Sequence, residues 1–299
     1  MEESSYDIIN LNKEKKWQKT GEAFTGKSDS YWIQNVVNRQ KAILKIPKEQ
    51  ERENSIGYSG EHLAEKLASE IGLKLGLNMP EIDLAIYDNI ECCISYSFCQ
   101  AGGVELKEGR EILIQDITEN ENRDKYTVEN IVSHLHEYGL VEEFVEMMLF
   151  DALVGQQDRH EENWGILNCP GDPVNRYQFA PIYDNSSCLT REVHRYKHGI
   201  NIKLYNSEHF KSYLRRSKSL IRIESNNTHT ISHFDMVEYL YDKYPELCIS
   251  FNDKLKGITK KEIEDIISKI PSGFILNNHR KVILKVFCAR KEKIMNIIE

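Results

Sequence analysis

The chain of 299 residues has no uninterrupted apolar run near the ~20 residues needed to cross a bilayer, so no membrane span is expected. Its start, "MEESSYDIINLNKEKK", is acidic and lacks the apolar segment of a secretory leader. A cytoplasmic protein is the expectation, with export by another route left open. Cysteine is sparse and odd in number: seven residues with no CxxC pair, which suits neither a disulfide framework nor a zinc motif. Reduced, buried thiols are the simplest account. An excess of positive charge is also missing, since 39 Lys and Arg face 47 Asp and Glu for a net charge of −8. That balance argues against sequence-independent nucleic-acid binding by the whole molecule, and no direct DNA binding is expected. No internal repeat and no low-complexity tract interrupts the chain.

What is present is ordinary globular material, 40% hydrophobic and 29% charged, enough for two domains or one large one. The first hundred residues read as strands around one helix. Candidate strands are Tyr31–Val37, Ala42–Ile46, Glu81–Tyr87 and Glu91–Phe98. Between them "SGEHLAEKLASEIGLKLGL" repeats Leu63, Leu67, Ile71 and Leu75 on one helical face, with Ser59 as the expected N-cap. "CQAGGVEL" reads as a linker between lobes. From about residue 126 helical periodicity takes over, in "TVENIVSHLHEY", "LVEEFVEMMLFDALVGQQ", "TKKEIEDIISKI" with its capping-box-like Thr259 and Glu262, and the closing "HRKVILKVFCARKEKIMNII".

"TGEAFTGKSDSYWI", residues 20–33, contains a full Walker A match through Gly21, Gly26, Lys27 and Ser28. The pattern carries its mechanism only between a buried apolar strand and a helix. Here "NKEKKWQK" precedes it, nearly all polar, and β-branched and aromatic runs follow, closer to a hairpin than to a helix. A P-loop fails this test, although a Gly/Ser/Lys turn between strands could cover phosphates another way.

The chemistry concentrates in "GQQDRHEENWGIL" and "FAPIYDNSSCL". The first places Asp158, His160 and Asn163 in a loop after a strongly helical run, and the second places Asp184 after a short apolar strand. Two acids and an Asn separated by a hairpin-like stretch match what phosphoryl transfer needs: a base for the acceptor hydroxyl, and an amide oxygen and a carboxylate for Mg²⁺. Asp158 and Asn163 have the five-residue spacing of the kinase catalytic loop. Asp and Asn also favour ordinary turns, so these residues gain weight only together. A third element is Lys45 at the end of the apolar run "KAILKIPK", with Glu61 and Glu65 four apart on the helix that follows. Either Glu could pair with Lys45 while the Lys touches nucleotide phosphates.

This order of glycine/serine loop, strand Lys, helix Glu, D-x-H-x-x-N and P-x-Y-D resembles the HipA-like serine/threonine kinases, relatives of phosphatidylinositol kinases and eukaryotic protein kinases. The resemblance runs from about residue 20 to 295, is most specific in "DRHEENWGIL" and "APIYDNSS", and is closer to the compact, kinase-core-only members. It implies an α+β, bilobal protein-kinase-like fold, with a small strand-rich N-lobe over residues 1–102 and a larger helical C-lobe over 103–299. It implies ATP and Mg²⁺ as cofactors. Asp158 would be the catalytic base, Asn163 a metal ligand, His160 a support of the catalytic loop and Asp184 the principal Mg²⁺ ligand. Lys45 would contact the ATP phosphates, paired with Glu65 in preference to Glu61. Backbone at Phe98, Cys99 and Gln100 would meet adenine, and Gly26, Lys27 and Ser28 would belong to the loop over the phosphates. Some members autophosphorylate a serine of that loop, which makes Ser28 and Ser30 candidate sites, against two ordinary turn serines. A protein substrate is implied, and a bacterial toxin or effector setting with an antitoxin-type partner. A lipid or small-molecule kinase and an ATP-binding pseudokinase are the alternatives.

Residues 191–222 carry nine Lys or Arg against two Glu. Such a field would attract an acidic protein surface, a phosphorylated segment or tRNA held by a substrate protein. A plain solvated face is the competing reading.

Overall fold

The computed structural model describes residues 5–23, 30–52, 55–99, 102–114, 125–193, 207–224 and 230–299. Eight of its eleven strands precede residue 97. They are β1 (Ile8–Asn10), β2 (Trp17–Ala23), β3 (Ser30–Asn35), β4 (Lys41–Lys45), β5 (Glu49–Arg52), β6 (Ser55–Tyr58), β7 (Ile82–Tyr87) and β8 (Ile90–Tyr96). Six of these form one sheet in the order β1-β7-β8-β4-β3-β2, with β5 and β6 a separate hairpin. All neighbours in the large sheet are antiparallel except β1 and β7. The polar stretch around Trp17 is therefore an edge strand, where one side faces solvent and few apolar residues are required. It pairs with antiparallel β3, which holds the place after the Walker-like stretch where that pattern would need a helix.

Period-two alternation sorts β4. Ala42 and Leu44 are buried in a cluster with Ile33, Ala85, Cys92 and Ile94. Lys45 takes the opposite face, next to Cys93, its register partner on β8. Helix α1 (Glu61–Lys74) covers that second face and buries Leu63, Leu67 and Ile71 completely. The helix begins one residue later than expected. Gly60 is its N-cap and makes no side-chain cap; the first turn is held instead by the Gly60 N–H donating to Arg191 O at 2.7 Å.

The larger part is built around α4 (Val141–Val154), in which every residue from Met147 to Val154 is buried. A helix apolar on all sides is a core helix, and α6 (His233–Lys243), α7 (Pro245–Lys256) and α9 (Asn277–Ile297) pack round it. Helix α3 (Val128–His136) leads into it, capped by Thr127 accepting from the Asn130 N–H. Helix α8 (Lys260–Ser268) has the complete capping box that Thr259 and Glu262 promised, and Lys74 of α1 pairs with Glu262 at 2.6 Å. A short α2 (Gly109–Ile112) and α5 (Ser207–Arg216) complete the helices of the described residues.

A three-stranded antiparallel sheet, β11 (Tyr177–Phe179), β10 (Gly165–Asn168) and β9 (Glu105–Glu108), lies after the Gly102–Gly103 turn. It includes the hairpin that the sequence suggested. Gly165 opens β10 directly after the motif loop, and a Cβ there would sit 2.3 Å from Lys107 O. Gly165→Ala is accordingly expected to force β9 and β10 apart and cost about 1–3 kcal/mol. A lower urea midpoint at unchanged slope would show it.

Candidate active site

The left-handed turn at Gly155 (φ 76°) ends α4 and sends the chain into residues 156–163. An L-residue pays for that conformation; glycine does not. The loop then folds on its own backbone. The carbonyl of Asp158 accepts from the His160 N–H at 3.0 Å and from Asn163 Nδ2 at 2.7 Å. His160 Nδ1 accepts from the Glu162 N–H at 3.2 Å, a further contact within the loop. Asn163 is 5% exposed and its Nδ2 is committed, which leaves Oδ1 as the end a cation would meet. The Asp158 carboxylate is at the exposed surface of the loop.

Asp184 follows β11 in a left-handed conformation (φ 54°) that a non-glycine residue adopts only under constraint. Its carbonyl accepts from Gln156 Nε2 at 2.6 Å, and its Oδ1 accepts from Ser186 Oγ at 3.2 Å. Lys45 Nζ donates to the same Oδ1 at 3.1 Å and also to Glu65 Oε1. The other oxygen of Glu65 accepts from the Asn185 N–H at 3.1 Å. Glu65 therefore touches both Lys45 and the Asp184 turn. Glu61 has different partners: the Lys48 N–H at 3.1 Å and Arg191 Nη1 at 3.0 Å. Burial alone would raise the Asp184 carboxyl, but the Lys45 ammonium and the Arg159 guanidinium outweigh it and bring its pKa down to about 2. Burial likewise pulls against the Lys45 charge, and the carboxylates of Asp184 and Glu65 hold it protonated, above its ordinary range. Glu65 is shifted up by its own burial, against the pull of Lys45.

Sequence reasoning missed the residue that joins the two loops. Arg159 is 1% exposed. Its Nε and Nη2 donate to the two carboxylate oxygens of Asp151 on α4 at 2.9 and 2.7 Å. Nη2 also reaches Asn185 Oδ1 at 2.7 Å, and Nη1 reaches the carbonyls of Asn163 and Tyr183 at 2.7 and 2.5 Å. One guanidinium thus ties the Asp158–Asn163 loop to the Tyr183–Asn185 turn and anchors both to the core helix. Fully buried Tyr126 adds a second tie, donating to Arg159 O at 2.9 Å and accepting from Trp164 Nε1 at 2.9 Å.

The segment after β8 approaches from the sheet side, where the Phe98 ring lies 5.6 Å from that of Tyr183. Cys99 N–H donates to Ser97 Oγ at 3.2 Å. Gln100, Gly26, Lys27 and Ser28 lie outside the described residues. Ser30 is the first residue of β3, buried, in register with Lys45. A groove of about 750 Å³ runs between Gly76, Tyr138, Val174 and Ile182 and contains none of the candidate site residues. Convergent chemistry, not volume, marks the site.

Oxygen donors suit Mg²⁺. Asp184, kept ionised, and the Asn163 amide oxygen are donors of that kind, so their chemistry fits the ion.

Residues 18–238 match the family model described as the HipA-like C-terminal domain. The chain is similar to the serine/threonine-protein kinase CtkA of Helicobacter pylori strain J99, 24% identical over 283 residues that cover 89% of this chain and 80% of that one. Among solved structures it superposes on the H. pylori proinflammatory kinase CtkA with a TM-score of 0.79 at 20% identity, covering 98% and 97% of the two chains. The Shewanella oneidensis HipA of a complex with HipB and operator DNA gives a TM-score of 0.46 at 12% identity, over 99% of this chain and 65% of that one.

Proposed function

The chain belongs to the HipA-like C-terminal domain family, and from that premise we propose that it is a Mg·ATP-dependent kinase transferring the γ-phosphate to Ser or Thr of a protein. The observation that carries this reading is the convergence on Lys45. Its ammonium joins Glu65, 20 residues away on α1, to Asp184, 139 residues away after β11.

Lys45, steadied between two carboxylates, holds the ATP phosphates in place. Asp184 and Asn163 would hold Mg²⁺, which would neutralise charge on the phosphates when bound. Asp158 accepts the proton of the acceptor hydroxyl as that oxygen attacks the γ-phosphorus and ADP leaves. Its exposed position lets an acceptor side chain reach it, and Arg159 keeps it at a fixed offset from Asp184. Backbone beside Phe98 and Cys99 meets adenine. Of the two serines considered for autophosphorylation, Ser30 is enclosed in β3, so Ser28 is the acceptor we favour.

Asp184→Ala is expected to weaken Mg·ATP binding about tenfold or more, near 1.4 kcal/mol, read by titration calorimetry with and without Mg²⁺. The reaction class is tested by incubation with γ-labelled ATP, followed by phosphoamino-acid analysis of the protein and extraction of lipid. Phosphoserine or phosphothreonine supports the reading. Label that appears only in lipid or small molecules contradicts the protein acceptor.

A further inference from the structure

Helix α5 is two-faced. Phe210, Tyr213 and Leu214 are half-buried, with Lys285 of α9 4.0 Å over the Phe210 ring and Tyr213 lying against Glu192 and Arg290. Just past its end, Ser217 Oγ lies 3.0 Å from His233 Nδ1, and the backbone of Gln156 borders the same imidazole. Gln156 is the residue whose side chain holds the carbonyl of Asp184. Ser217, the residue after α5, is therefore tied through His233 to Gln156, which stands two positions before Asp158 in the chain.

The outward face is cationic. Lys211 and Arg215 are one helical turn apart, Arg216 and Lys218 follow, and all four are exposed. Glu208 shares this face and reaches Lys211 at 3.5 Å, but both side chains are about two-thirds exposed or more, and such a pair neutralises little. These cations stand out against a chain of net charge −8.

We propose that the exposed face of α5 selects the acceptor, favouring segments that carry Asp or Glu beside the serine or threonine to be phosphorylated. The proposal rests on the kinase reading and names its substrate class. Adjacent Arg215 and Arg216 offer planar forks suited to carboxylates. Length argues for a short acidic segment over an extended polyanion. A ten-residue helix presents a ridge of about 15 Å. A short acidic segment matches that span, and the net charge of −8 disfavours an extended polyanion over the molecule as a whole.

The test uses the full chain and two fluorescent peptides that share one central serine, flanked by glutamates in one and by glutamines in the other. Binding is read by anisotropy without ATP, and transfer as kcat/KM with Mg·ATP. Wild type is expected to bind the glutamate peptide about tenfold more tightly, with the preference shrinking as salt rises. The combined Lys211→Glu, Arg215→Glu and Arg216→Glu variant should lose the preference while still phosphorylating the glutamine peptide. The milder Arg215→Gln and Arg216→Gln pair, with melting temperatures for both, separates lost charge from lost fold. Equal binding of the two peptides by wild type, or a preference kept in the charge-reversed variant, overturns the proposal. So does a variant that loses a short duplex RNA or phosphatidylserine vesicles while its peptide preference is unmoved. A binding preference without any phosphate transfer would keep the α5 surface and remove the kinase reading; transfer to both peptides alike would do the reverse.

Discussion

Asp158→Asn is expected to slow phosphoryl transfer by about 10²–10⁴ while leaving Mg·ATP affinity within about twofold. The split follows from which atoms of Asp158 do what. Its carbonyl oxygen, not its carboxylate, accepts from His160 N–H and Asn163 Nδ2, and these contacts set the shape of the loop. Replacement of the carboxylate by an amide leaves them intact. What is lost is the group proposed to take the acceptor's proton. The proposed nucleotide side of the site, Lys45 with Glu65 and Asp184, makes no contact with the Asp158 side chain among the described residues. Steady-state rates beside calorimetric ATP binding read the two effects separately. Equal losses in both would mean that Asp158 positions nucleotide and is not the base.

Arg159→Met should produce the largest loss of stability, about 3–5 kcal/mol, because it strands the Asp151 carboxylate in the core. In a chain of this size the melting temperature falls by roughly 5–8 °C. It also removes the donors to Asn185 Oδ1 and to the carbonyls of Asn163 and Tyr183. Removal of both charges, as Asp151→Leu with Arg159→Met, separates two roles. Stability should return in part, since a buried ion pair is often no more stable than an apolar pair. Activity should not return, because the Asp158 and Asp184 loops have lost the bridge that sets their spacing. Recovery of full activity in the double variant would reduce Arg159 to a structural residue. Denaturation midpoints and transfer rates on the same preparations decide between these outcomes.

That Arg159 escaped sequence reasoning although it stands inside "DRHEEN" is instructive. An Arg in a polar loop reads as solvated, the usual state of that residue. The signal lay elsewhere, in Asp151 within "MMLFDALV", a lone acid in an apolar stretch of helix that must be buried against a cation. Period and spacing were enough to place α1, α4, β4 and the hairpin, and to mark Lys45, Asp158, Asn163 and Asp184 as candidates. They could not separate Glu61 from Glu65, since residues four apart share a helical face and only the offset between β4 and α1 selects one. Both proved to be engaged, one with Lys45 and the other with Arg191. Strands β1, β2, β5 and β6 were illegible because edge and hairpin strands need little apolar alternation. Ser59 looked like a cap, but the Arg191 carbonyl, supplied from 131 residues away, holds that helix start at Gly60. Tertiary contacts of this kind leave no local pattern.

The kinase reading stands or falls on intact-mass spectrometry of the purified protein, before and after incubation with Mg·ATP and beside Asp158→Asn. Phosphate is expected to be gained by the wild type alone, mapping to a serine or threonine and not to Ser30. Phosphate gained equally by the variant, or a wild type that neither gains phosphate nor binds Mg·ATP, would contradict it.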